Sequence, residues 1–97
     1  MPDAIAVVSR DLMDRSRIVA AVEATGGSVA PPGEADLVLA DLRCTTPDQV
    51  RGWSVSARVV VFGPHVEEAA LAAMAGAGAE ALPRSRFFRV LPELLGA

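Results

Sequence analysis

Three residue types that often carry chemistry are nearly missing: the 97 residues include one cysteine, Cys44, one histidine, His65, and one tryptophan, Trp53, with no lysine or tyrosine. A lone cysteine closes no internal disulfide, and one cysteine with one histidine supplies no zinc set. Aromatics amount to only 4%, so the core is expected to consist of Val, Leu, Ile and Ala, with Phe62, Phe87 and Phe88 its bulkiest candidates. Long apolar runs are lacking too. The strongly apolar stretches are strand-length and broken by charge, which leaves nothing able to span a bilayer. Asp3 stands where a secretory leader would be basic, so no signal is expected and the expected compartment is cytoplasmic, with no membrane partner. Every one of the nine basic residues is arginine, set against twelve acids for a net charge of −3. They are dispersed apart from Arg84, Arg86 and Arg89, and an acidic chain without a basic stripe argues against a nucleic-acid partner.

What is present is ample apolar material, at 52% of the chain, with 22% charged. That balance suits a single globular domain over residues 1–97, a length too short for two ordinary ones. Ala4–Val8 is small and β-branched, as a strand buried on both faces requires. From Asp11 to Thr25 the pattern is helical, with Leu12, Ile18, Val19 and Val22 on one side, and Gly26-Gly27 supplies a stop. Ser28–Ala30 allows only a brief strand before Pro31-Pro32-Gly33. Leu37–Leu42 is another apolar strand. Thr46-Pro47-Asp48-Gln49 reads as a capping box opening a short helix that ends near Gly52 or Trp53. Arg58–Phe62 carries three consecutive valines, the strongest strand signal. Gly63-Pro64-His65 turns the chain into a helix over Val66–Ala77, with Glu67 and Glu68 at its positive end. Glu80–Leu82 is a last strand, followed by a helical segment in which Pro92 either kinks the helix or marks a new start after a turn at 85–88.

Strands alternating with helices through short loops predict an α/β domain with a parallel sheet and right-handed crossovers. About six residues join the second and third strands, too few for a helical crossover. That edge is expected to be irregular, with one helix missing.

The segments Ala35-Asp36-Leu37-Val38-Leu39-Ala40-Asp41-Leu42-Arg43, Arg58-Val59-Val60-Val61-Phe62-Gly63 and Ala75-Gly76-Ala77-Gly78-Ala79-Glu80-Ala81-Leu82-Pro83-Arg84 resemble a response-regulator receiver domain of the flavodoxin-like class. Thr25-Gly26-Gly27 suits the end of the first helix in that pattern. The resemblance implies a three-layer α/β/α fold, strand order 2-1-3-4-5, shortened by the helix between strands 2 and 3. It also implies a site at the carboxyl ends of the strands. There an acidic pair holds Mg²⁺, an aspartate accepts a phosphoryl group, a hydroxyl follows the phosphate, and a lysine pairs with it.

Carried over position by position, the chemistry is incomplete. Asp41 falls on the phospho-acceptor. The acidic pair falls on Ser9 and Arg10, with Asp11 one residue further on, and the hydroxyl position falls on Gly63. Arg84 takes the lysine position if one residue is deleted nearby; a gapless reading puts Ser85 there.

Each candidate carries two readings. Asp41 is a nucleophile or a cap on the following loop. Asp11 is a metal ligand, possible with Asp41 because Mg²⁺ needs only one or two carboxylates, or a helix N-cap, with Arg10 opposing a metal. Arg84 grips a phosphate by its planar fork or pairs with Asp41. His65 follows a turn on the same rim, Cys44 is a loop thiol just past Asp41, and Trp53 is core or contact. Ser9, Arg10, Asp11, Asp41, Gly63 and Arg84 are thus the pocket candidates. A retained scaffold with a dismantled acidic pocket leads to a regulatory, non-enzymatic module that binds another protein or itself, as a homodimer. Phe87 and Phe88, if exposed, would be its anchors. No cofactor is expected. Mg²⁺ enters only in the alternative, a working phospho-acceptor at Asp41; a further alternative is a small anion held by Ser9, Arg10 and Arg84.

Overall fold

The computed structural model describes residues 2–96. Five strands, β1 (Ala4–Val8), β2 (Ser28–Val29), β3 (Leu37–Asp41), β4 (Arg58–Gly63) and β5 (Glu80–Pro83), form one sheet in the order β2-β1-β3-β4-β5. All neighbouring pairs are parallel. Alternate side chains of the central strands feed two separate cores, one on each face. Ile5, Val7, Leu37, Leu39, Val60 and Phe62 point to the face covered by α1 (Leu12–Ala24) and α4 (Arg84–Leu94). Ala6, Val38, Ala40, Val59 and Val61 point to the face covered by α2 (Pro47–Trp53) and α3 (Glu68–Gly76). A strand buried on both faces must be apolar at every position. That is why β3 and β4 read as unbroken hydrophobic runs.

The expected three-layer architecture and strand order are both present. The missing helix is replaced by a 3₁₀ turn over Pro32–Glu34, and β2 pairs with β1 through two residues only. The Ala30 N–H donates to the Ile5 carbonyl at 3.0 Å. The next rung would have to come from Pro32, which has no N–H. Arg15 supplies the donor instead, its Nη1 lying 2.6 Å from the Val7 carbonyl.

Local signals fared well where the cap was in the sequence. Thr46 and Gln49 form the capping box of α2, and Gly26 takes φ +81° after α1. Four expectations need correction. Leu12 is not on the inner face of α1; it is 80% exposed, and the buried stripe is Asp14, Ile18 and Val22. The third helix starts at Glu68 rather than Val66, which is exposed in the preceding turn. Helix α4 begins directly at Arg84 and runs through Pro92, which lies near its end on the exposed side, where a missing N–H costs least. Phe87 and Phe88 are not surface anchors. Phe87 stacks on Phe62 with centroids 4.3 Å apart, and Phe88 meets both rings edge-on, so the three form the centre of the α1/α4 core.

Candidate functional site at the carboxyl edge of the sheet

In open parallel sheets the crevice lies beyond the carboxyl ends of the strands. Here β1, β3, β4 and β5 deliver Ser9–Asp11, Asp41–Cys44, Gly63 and Arg84 to that rim. Asp11 N-caps α1, its Oδ1 accepting the Asp14 N–H at 2.9 Å, while the Ser9 Oγ accepts the Asp11 N–H at 3.3 Å. The capping reading of Asp11 therefore holds.

Asp41 caps the 3₁₀ turn Leu42–Cys44: its Oδ1 accepts the Arg43 backbone N–H at 2.9 Å. The same residue folds back with its side chain, Nε lying 3.2 Å from Oδ1 and Nη2 2.8 Å from Oδ2. Burial pushes the Asp41 carboxyl up, but the Arg43 guanidinium and N–H, together with the Ser9 hydroxyl, outweigh it and hold the group below the usual carboxylate range.

Two residues that sequence reasoning passed over complete the site. Asp14 is 2% exposed, on the inner stripe of α1, and pairs with Arg84 Nη2. One of the two readings of Arg84 set it against Asp41. Its actual partner is one turn into α1, and its guanidinium carbon also lies 4.9 Å from the Phe88 ring centroid, with Arg17 4.1 Å from the same ring. Arg43 is the second. Its Nη2 lies 2.8 Å from Asp41, 3.7 Å from Asp14 and 3.9 Å from Asp11, so a single nitrogen stands between three carboxylates.

The acidic set is therefore richer than the residues after β1 suggest, but it is already neutralised. A magnesium ion needs carboxylate oxygens free to coordinate it in near-octahedral geometry. Here Arg43 stands between the carboxylates and Arg84 pairs with Asp14, so guanidinium groups lie where such an ion would be coordinated. The signal for Asp14 was available, since it stands four residues before Ile18 and eight before Val22 on a helical stripe. Arg43 was legible as the residue able to curl onto an Asp two positions earlier.

Gly63 faces a different obstacle. A Cβ built there would meet the Leu42 Cδ2 at 2.7 Å and its Cβ at 2.8 Å. The side chain of Leu42 fills the place where a hydroxyl residue would stand, so glycine is required. Arg43 divides the rim into two small clefts. One, of about 170 Å³, is lined by Asp14, Phe62, Gly63, Pro64 and Arg84 on one side of it; the other, of about 300 Å³, by Arg10 and Cys44. The Cys44 Sγ lies 3.5 Å from the Val8 carbonyl. His65 is exposed in the turn after β4, and Trp53 packs half-buried against the second core. Among the described residues, no helix is long and apolar enough to cross a membrane.

No protein-family model matches the chain, and no curated protein does. Solved structures do. A response regulator from Thermotoga maritima superposes with a TM-score of 0.77 at 17% identity, covering 98% of this chain and 95% of that one. The BeF3-activated DrrB receiver domain gives 0.76 at 15% identity, with 98% and 95% covered. A CheY-like receiver domain protein from Methanospirillum hungatei JF-1 gives 0.71 at 14% identity, over 98% and 94%. Identities this low speak to architecture. Together with the parallel order β2-β1-β3-β4-β5, they show that the chain has the fold of a CheY-like response-regulator receiver domain.

Proposed function

We propose that this chain is a receiver-like regulatory module that acts by protein contact, with its acidic pocket held shut by its own arginines and not by Mg²⁺-dependent phosphorylation. The supporting observation is Arg43, whose Nη2 lies within 4 Å of Asp11, Asp14 and Asp41. Phosphoryl transfer to a carboxylate needs an unencumbered oxygen nucleophile and a cation that neutralises the incoming phosphoryl oxygens. Both oxygens of Asp41 are engaged by Arg43, and the place between the carboxylates is filled. Internal ion pairs that occupy the rim suit a scaffold recognised by its surface.

The decisive experiment is incubation with acetyl phosphate and Mg²⁺ followed by intact-mass measurement. The mass is expected to stay unchanged under saturating conditions. A gain of one phosphate that disappears in Asp41→Asn would instead establish the phospho-acceptor reading.

A further inference from the structure

Helices α1 and α4 cover the same core, and two arginines meet on one ring where they adjoin. The Arg17 guanidinium carbon stands 4.1 Å from the Phe88 centroid, and that of Arg84 stands 4.9 Å from it. The two charges are balanced differently. Arg84 pairs with Asp14, whereas among the described residues neither Arg17 nor Arg89, next to Phe88 in α4, takes part in an ion pair. A guanidinium laid on an aromatic face keeps the N–H donors of its plane free at the edge, and the ring limits where they point. Arg17 is thus a held fork with no acid in it.

Charge names the occupant. The chain as a whole stands at −3, yet this flank carries two exposed arginines without partners, Arg17 and Arg89. Its own acid, Asp14, is buried and taken by Arg84. Glu23 lines the opposite side of α1, and Glu93, one turn beyond Arg89, makes no ion pair with it. Met13 precedes Arg17 by one helical turn and is 84% exposed, which sets an apolar contact beside the cations. On a chain of net negative charge, a local excess of two cations orients an acidic partner toward this flank. A nucleic-acid backbone would call for a longer run of cations. We propose that the α1/α4 flank docks a carboxylate-bearing segment of a partner protein. One carboxylate sits on the Arg17 fork, a second on Arg89, and an apolar side chain rests against Met13. The inference rests on the reading of the chain as a contact module and adds the face used and the chemistry it recognises.

The test is a fluorescence-anisotropy titration of the whole chain into a labelled synthetic peptide of glutamates interleaved with leucines, at low salt. The same peptide with glutamine in place of every glutamate, and a labelled DNA duplex, run in parallel. The glutamate peptide is expected to bind saturably, more weakly as salt rises, and the glutamine peptide and the duplex are not. Arg17→Glu and Arg89→Glu should each weaken binding by about tenfold. Arg51→Glu, on α2 across the sheet, should bind as the wild type does. Arg17 also covers Phe88, so Arg17→Lys is included: it keeps the charge, loses the planar fork and should bind more weakly with an unchanged circular dichroism spectrum. In nitrogen-15 spectra the Arg17 Nε–H signal should move on adding the peptide while that of Arg51 stays in place. No saturable binding at millimolar concentration overturns the inference. So does binding that Arg17→Glu and Arg89→Glu leave intact, or a duplex that binds more tightly than the peptide. The acetyl phosphate assay reads the rim and this titration reads the flank, so the two readings fail separately.

Discussion

At the scale of single residues, the behaviour of Asp41 follows from opposing effects. Burial raises its pKa; Arg43, through guanidinium and backbone N–H, and the Ser9 hydroxyl together lower it by more. A carboxylate whose pKa is lower in the folded chain stabilises the fold above its unfolded pKa and loses that contribution as pH falls through the folded value. Glu80 follows the same rule, held low by the Arg58 side chain at 2.5 and 2.8 Å. Stability is therefore expected to be level through neutrality and to decline below about pH 4. In Arg43→Ala the effect of burial is no longer outweighed, Asp41 titrates higher, and the decline should begin at a higher pH. Urea midpoints measured across pH for both proteins check this. Coincident profiles would mean that Arg43 does not control the carboxyl.

The scale of elements brings out the cost of placing a charge on a helix's inner face. Asp14 continues the stripe of Ile18 and Val22, so α1 buries a carboxylate where a leucine would ordinarily stand. Removing Arg84 leaves that carboxylate short of its main partner, and Arg84→Ala is expected to cost about 2 kcal/mol. The reverse change differs in sign of consequence. Asp14→Leu frees Arg84, which is half-exposed and regains water, while adding apolar packing to the stripe. It should be neutral or stabilising. Thermal melts of the pair test the asymmetry, and equal losses would contradict it.

This element also marks the limit of what the sequence disclosed. The capping box of α2 and the apolar strands are local signals, confined to a few neighbouring residues, and they read correctly. The inner face of α1 did not, because Leu12 fits the same helical period from outside the core, and hydrophobicity alone does not distinguish an exposed leucine from a buried aspartate. The site is non-local. That Asp11, Asp41 and Arg84 share one rim followed from the topology, but that Asp14 joins them, and which arginine meets which acid, depends on distances between segments far apart in the chain.

For the whole molecule, the two cores share one sheet, and neither face can lose its helices without exposing the strands that support the other. Unfolding is expected to be a single cooperative transition. Trp53 lies against the α2/α3 core, whereas far-ultraviolet circular dichroism averages over every element. Tryptophan fluorescence and dichroism should therefore give superimposable urea curves. Separated midpoints would show the α2/α3 layer detaching first. A parallel α/β sheet was legible at this scale because strands alternate with helices through short connections, while the strand order was what the resemblance to receiver domains implied. The loss of one crossover helix was likewise written in the spacing between β2 and β3.

That loss reaches beyond the sheet itself. Border strands elsewhere can recruit ligands through a long row of peptide groups, a grip largely indifferent to sequence. With β2 cut to Ser28–Val29 and Pro32 unable to extend it, this border offers almost no main chain to hold. Selectivity there falls to side chains alone, which makes the choice of neighbour open to change by single substitutions while the architecture stays the same.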